Sequence, residues 1–173
     1  GAYLNVYVFA DATLADLSQR DVVGHIWRKD NTVWKLDPTE ITNRLGWLNV
    51  TAPMYKQVPV LQSFAQEIQE AGFHYVVLLG MGGSSLGAEV IRQTFGSTTG
   101  YPQLIVLDST VPEWVHSVTT AIDPAQTLFL ISSKSGTTVE PLLLWQYCRS
   151  LVEGAIGKGS AGLNFVAITD SRT

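Results

Sequence analysis

A single cysteine, three histidines and few charges set the first limits on this 173-residue chain. With Cys148 alone, no internal disulfide can form, and nothing implies an oxidising compartment. Trp145, Tyr147 and Leu151 surround it in an expected helix, which points to core packing rather than reactivity. Charged residues make up only 15%, little for a domain that must wet its whole surface. Combined with five tryptophans, this implies that more chain or a partner covers some of that surface. The net charge of −4 argues against a nucleic-acid or anionic-membrane partner. No apolar run is long enough to span a bilayer. The stretch Gly1 to Ala10 lacks the basic region and long apolar core of a signal peptide. The expectation is a soluble, cytoplasmic protein.

Neither repeats nor a low-complexity linker appear, yet the pattern changes near residue 73. Before it, Leu14, Leu17, Val22, Ile26 and Trp27, then Ile41, Leu45 and Leu48, fall at helical spacing. Asp37-Pro38-Thr39-Glu40 reads as the capped start of the second of these helices. A third is expected from Val58 to Ala71, stopping at Gly72. Tyr3 to Phe9 reads as a strand or extended arm. From His74 onward come four short, continuous apolar runs: Tyr75–Leu79, Leu104–Leu107, Leu128–Ile131 and Phe165–Ile168. Continuous runs mark strands buried on both faces. Helical segments separate them, at about Ser85–Phe95, Pro112–Ala121 and Val139–Glu153. Alternation of this kind means a parallel sheet with helices on both sides, and ligands in such sheets bind beyond the carboxyl ends of the strands. The chain therefore divides into a mainly helical segment, 1–73, and an α/β domain, 74–173.

Two loops at that edge carry the candidate chemistry. The first is Gly80-Met81-Gly82-Gly83-Ser84-Ser85-Leu86-Gly87, running from a strand into a helix. Glycines let backbone approach a ligand, and the helix start offers free N–H groups to an anion. The dinucleotide pattern G-x-G-x-x-G fails, because Ser85 stands at its last position, and no nucleotide P-loop ending follows. The second loop, Ser132 to Thr138, holds five hydroxyls, one glycine and Lys134 before another helix. Hydroxyls and amides can ring a phosphate without a full countercharge, as suits a chain of net negative charge. Lys134 either adds countercharge or is a solvated surface lysine.

These residues resemble the glucose-6-phosphate isomerase family. The first loop is similar to its Gly-Gly-Ser turn. Ser132-Ser133-Lys134-Ser135-Gly136-Thr137-Thr138-Val139-Glu140-Pro141 is similar to its phosphate loop in bacterial form, with Gly136 where eukaryotic members often carry an aromatic. Leu107-Asp108-Ser109-Thr110-Val111-Pro112 and Ile168-Thr169-Asp170 resemble later strand ends of the family. Ile26-Trp27-Arg28-Lys29-Asp30 and Asn43-Arg44-Leu45-Gly46-Trp47-Leu48 resemble the isomerase half of transaldolase–glucose-6-phosphate isomerase fusions. Together these cover residues 20 to 173. The resemblance implies the SIS (sugar isomerase) fold, a flavodoxin-like, three-layer αβα arrangement around a parallel sheet of about five strands. It makes Ser133, Lys134, Ser135, Thr137 and Thr138 phosphate-binding and places Gly83 and Ser84 at the sugar. Glu140 corresponds to an acidic residue supporting the ring-opening histidine, or is a first-turn glutamate favoured by the helix dipole. The implied ligand is glucose 6-phosphate or fructose 6-phosphate, in glycolysis and gluconeogenesis. Neither cofactor nor metal is called for, and the parent is expected to be a homodimer.

Aldose–ketose isomerisation also needs a carboxylate base, a ring-opening acid and a cation for the enediol. His25, His74 and His116 belong to no motif and read as structural; Asp108 and Asp170 read as residues that hold loops. The family's catalytic base, histidine, arginine and lysine are expected beyond residue 173, and the chain reads as a fragment, catalytically incomplete by itself. The reading from another class is a non-enzymatic SIS module that senses a sugar phosphate for a regulator or synthase. The helical stretch before residue 73 favours the isomerase.

Overall fold

The computed structural model describes residues 2–170, with side chains from residue 9 onward. Two compact units emerge, Gly1–Leu61 and Gln62–Thr173.

The first unit holds helices α1 (Ala2–Gln19) and α2 (Val22–Trp27), and the start of α3 (Thr51–Glu70). Residues 3–9 lie in α1, not in the expected strand. A strand needs a neighbour to satisfy its backbone groups, whereas a helix satisfies them within itself. The helix expected from Asp37 is also different. Asp37 accepts the Thr39 N–H at 2.9 Å in a local turn, Glu40 adopts a left-handed φ of 61°, and a 3₁₀ helix follows at Thr42–Asn49. Three residues per turn bring Leu45 and Leu48 to one side, and both are buried. Helix α3 begins seven residues before the expected Val58 and continues past Pro59. It stops just before Gly72, whose φ is +80°.

The second unit is built on strands β1 (Tyr75–Gly80), β2 (Gln103–Leu107), β3 (Thr127–Ser132) and β4 (Phe165–Ile168). All pair in parallel, in the order β2-β1-β3-β4, and supply four of the about five strands expected. Helices α4 (Gly83–Phe95), α5 (Pro112–Thr120) and α6 (Val139–Ile156) connect them. Successive strand residues point to opposite faces, so each strand serves two layers. Val77, Leu79, Leu107 and Phe129 pack with Val118 and Ile122 at α5 and with Leu144, Cys148 and Val152 of α6. On the other face Val76, Leu104, Leu128 and Leu130 line a cleft with Phe64 and Ile68 of α3. Phe129 stacks on Phe165 at 5.2 Å between ring centroids, joining β3 to β4. The result is the α/β, SIS-type arrangement.

Candidate functional site

Strand order reverses between β1 and β3: the chain leaves β1 for β2 on one side, then returns to β3 on the other. Such a reversal leaves a crevice beyond the carboxyl ends of the two strands. Both glycine- and hydroxyl-rich loops begin there, since Gly80 ends β1 in register with Ser132, which ends β3.

In the first loop, Gly82 takes φ 53° and ψ −122°, a conformation that L side chains rarely adopt. The chain then turns directly into α4. The Ser84 N–H donates to the Met81 carbonyl at 3.1 Å, and the Ser85 N–H to the Gly82 carbonyl at 3.1 Å. Ser85 is buried, and its hydroxyl also donates to the Gly82 carbonyl, at 3.1 Å. A serine is therefore useful where a dinucleotide loop would have its last glycine. Gly83 is exposed at the helix start, and a Cβ there would meet nothing within 4 Å. Ser84 is half-buried beside it.

In the second loop the hydroxyls are linked in two short relays. Ser133 donates to the Thr138 hydroxyl at 3.2 Å, and Thr137 donates to the Ser135 hydroxyl at 2.9 Å. The Thr137 N–H also donates to Ser135 Oγ, at 3.2 Å. A hydroxyl carries one proton, so each pair uses one O–H internally and keeps one able to donate outward. Ser133 is buried, whereas Lys134, Ser135 and Thr137 are exposed and Thr138 is half-buried. The first N–H groups of α6 lie immediately behind and have no intrahelical partners. Gly136 has a φ of +67°.

Strand β4 braces this loop. The Ser133 N–H donates to the Ile168 carbonyl at 3.0 Å, and the Asp170 N–H and Thr169 hydroxyl reach the Lys134 carbonyl at 3.2 and 3.4 Å. The Asp170 backbone thus takes part in holding this loop. The Thr169 contact has no local sequence signal, because 35 residues separate the partners.

Other candidates lie elsewhere. Glu140 is exposed in the first turn of α6 and forms no ion pair among the described residues. His25 sits in the first unit, its Nδ1 2.6 Å from Asp30; Thr32 and His25 together hold the Asp30 carboxyl down to about 2. His74 precedes β1, at the opposite end of the sheet from the loops. His116 lines an apolar cleft of ≈ 350 Å³ with Val115, Leu144 and Tyr147, between α5 and α6. That cleft offers an anion few donors. No cluster of three or more His, Cys, Asp or Glu suited to a metal occurs among the described residues.

Comparison with known proteins identifies the family. The phosphoglucose isomerase family model matches residues 46–173. A glucose-6-phosphate isomerase of Carboxydothermus hydrogenoformans is 25% identical over 82% of this chain and 32% of its own length. Glucose-6-phosphate isomerase 2 of Chromobacterium violaceum is 33% identical over 70% of this chain and 24% of its own. The crystal structure of a glucose-6-phosphate isomerase from Chlamydia trachomatis superposes with a TM-score of 0.61 at 28% identity, covering 69% of this chain and 23% of that one. A hypothetical protein from Thermus thermophilus shares the fold, with a TM-score of 0.69 over 94% of this chain and 36% of that one. The chain thus spans about a third or less of the relatives it matches. With well over half its residues matched, the chain belongs to the phosphoglucose isomerase family.

Proposed function

We propose that this chain is the sugar-phosphate-binding portion of a glucose-6-phosphate isomerase. Residues 74–173 form the binding domain in this reading, and 1–73 its helical lead-in. Ser133, Lys134, Ser135, Thr137 and Thr138 surround the phosphate of glucose 6-phosphate or fructose 6-phosphate. Gly83 and Ser84 face the sugar, and Glu140 stands by to support a histidine supplied from elsewhere. The parent interconverts the two sugars through an enediol, as a cytoplasmic homodimer of glycolysis and gluconeogenesis. Proton transfer alone accomplishes that reaction, so the reading calls for no cofactor or metal.

One observation carries the proposal: two hydroxyl pairs each keep one proton able to donate beside a helix start, at the reversal point of the sheet. Ser135 and Thr138, one hydroxyl from each pair, make the test. Each hydrogen bond to a charged group is worth about 1.5–3 kcal/mol. Ser135→Ala/Thr138→Ala should therefore weaken glucose 6-phosphate binding about 100-fold or more. Calorimetric titration measures this, and an unchanged affinity in a folded variant rejects the assignment.

A further inference from the structure

Gly80 is buried and closes β1, yet it is not among the glycines with a left-handed φ. Its backbone conformation therefore admits other residues; its surroundings do not. A Cβ there would stand 3.1 Å from the Ser84 carbonyl oxygen, 3.2 Å from the Ser132 carbonyl oxygen and 3.3 Å from the Ser132 Cβ. Two of these neighbours are main-chain oxygens, which cannot swing aside as the tip of a flexible side chain can. Ser84 belongs to the first loop and Ser132 leads into the second. The space that a side chain would fill at Gly80 is thus the space across which the loops approach each other.

We infer that Gly80 is a positioning residue, whose missing side chain sets the spacing between the sugar-facing loop and the phosphate loop so that one ligand spans both. The inference rests on the sugar-phosphate reading above. A ligand that uses only the second loop, such as inorganic phosphate, is indifferent to this spacing. A ligand that bridges both loops depends on it, because small misplacements of a binding group cost affinity steeply.

The test is titration of the 173-residue chain with inorganic phosphate and with glucose 6-phosphate, alongside melting curves. Gly80→Ala should leave inorganic phosphate affinity unchanged and weaken glucose 6-phosphate about ten- to a hundred-fold. Gly80→Ser crowds the same gap with a slightly larger side chain and should give the same split. Gly154→Ala, where an added Cβ meets nothing within 4 Å, should change neither affinity. Equal loss of both ligands, or no change in either, overturns the inference while leaving the sugar-phosphate reading intact. Failure of both crowding variants to fold also overturns it, because the contact would then hold the sheet rather than space the loops. If the unaltered chain binds neither ligand, the sugar-phosphate reading falls and this inference with it.

Discussion

Gly82 and Gly83 are neighbours with different physical demands. Gly82 is bound to glycine by its backbone, at φ 53°, so any side chain there is strained. Gly83 has neither constraint: its φ is ordinary and a Cβ would enter open space. Neither backbone nor packing therefore demands glycine at 83. Gly83→Val should fold, with a stability change of about 1 kcal/mol or less, yet lose glucose 6-phosphate binding. Melting curves and calorimetry on the same sample separate the two effects, and intact binding would make the loop a plain structural turn. Cys148 is the opposite kind of residue. It is fully buried against the sheet, and burial pushes its thiol up to about 12, so it packs rather than reacts.

Helix α4 is the element on which the candidate site most depends, since its first turn belongs to the glycine-rich loop. Its middle is held by Glu89, which accepts two hydrogen bonds from Arg92, at 2.7 and 2.8 Å, and one from Gln93 at 2.9 Å. These donors, Arg92 foremost, hold the Glu89 carboxyl at about 2, below the usual 4.5. The unfolded chain then binds that proton more tightly than the folded one, so acid favours unfolding. This contribution is complete above about pH 4.5 and is lost as the pH falls through about 2. Glu89→Gln should lower stability near neutrality and flatten its decline with acid across that window, as followed by denaturant titration at several pH values. A slope identical to that of the unaltered chain would remove Glu89 from the account.

Elements also differ in how legible they were. The four strands were visible as continuous apolar runs; both faces of the central β1 and β3 are covered, whereas Ala167 and Ile168 of β4 are exposed. The helix expected from Asp37 failed because its cap was real but local. The Asp37 carboxylate satisfies one N–H two residues on, and Glu40 then breaks the helical path. Helical spacing marked Leu45 and Leu48 as one face without distinguishing an α-helix from a 3₁₀ turn, since i and i+3 fall together in both.

At the scale of the whole molecule, the three histidines are dispersed. His25 is engaged with Asp30 in the first unit, His74 lies at the far end of β1, and His116 lines an apolar cleft. No carboxylate lines the cleft that holds His116. The 173-residue chain should therefore bind sugar phosphate without interconverting glucose 6-phosphate and fructose 6-phosphate. General acid–base help accounts for about 10²–10⁴ in rate, and electrostatic stabilisation of the enediol for about 10²–10³ more. The apolar stripe of α4, Leu86, Val90, Ile91 and Phe95, is exposed in every member, so the isolated chain should also bind a hydrophobic dye or self-associate. Turnover in a coupled assay, by a preparation free of host isomerase, would refute this placement of the catalytic groups.

Composition and pattern alone determined that this chain forms a parallel α/β domain with two anion-suited loops at strand ends. Those features are local: an apolar run, a glycine turn and a hydroxyl cluster each need only neighbouring residues to be recognised. The pairing of β1 with β3 was decided by tertiary structure, and with it the register that sets Gly80 beside Ser132. So was the bracing of Lys134 by Thr169 and Asp170. These depend on contacts between residues tens of positions apart, whose geometry comes from packing the whole sheet rather than from any single stretch of chain.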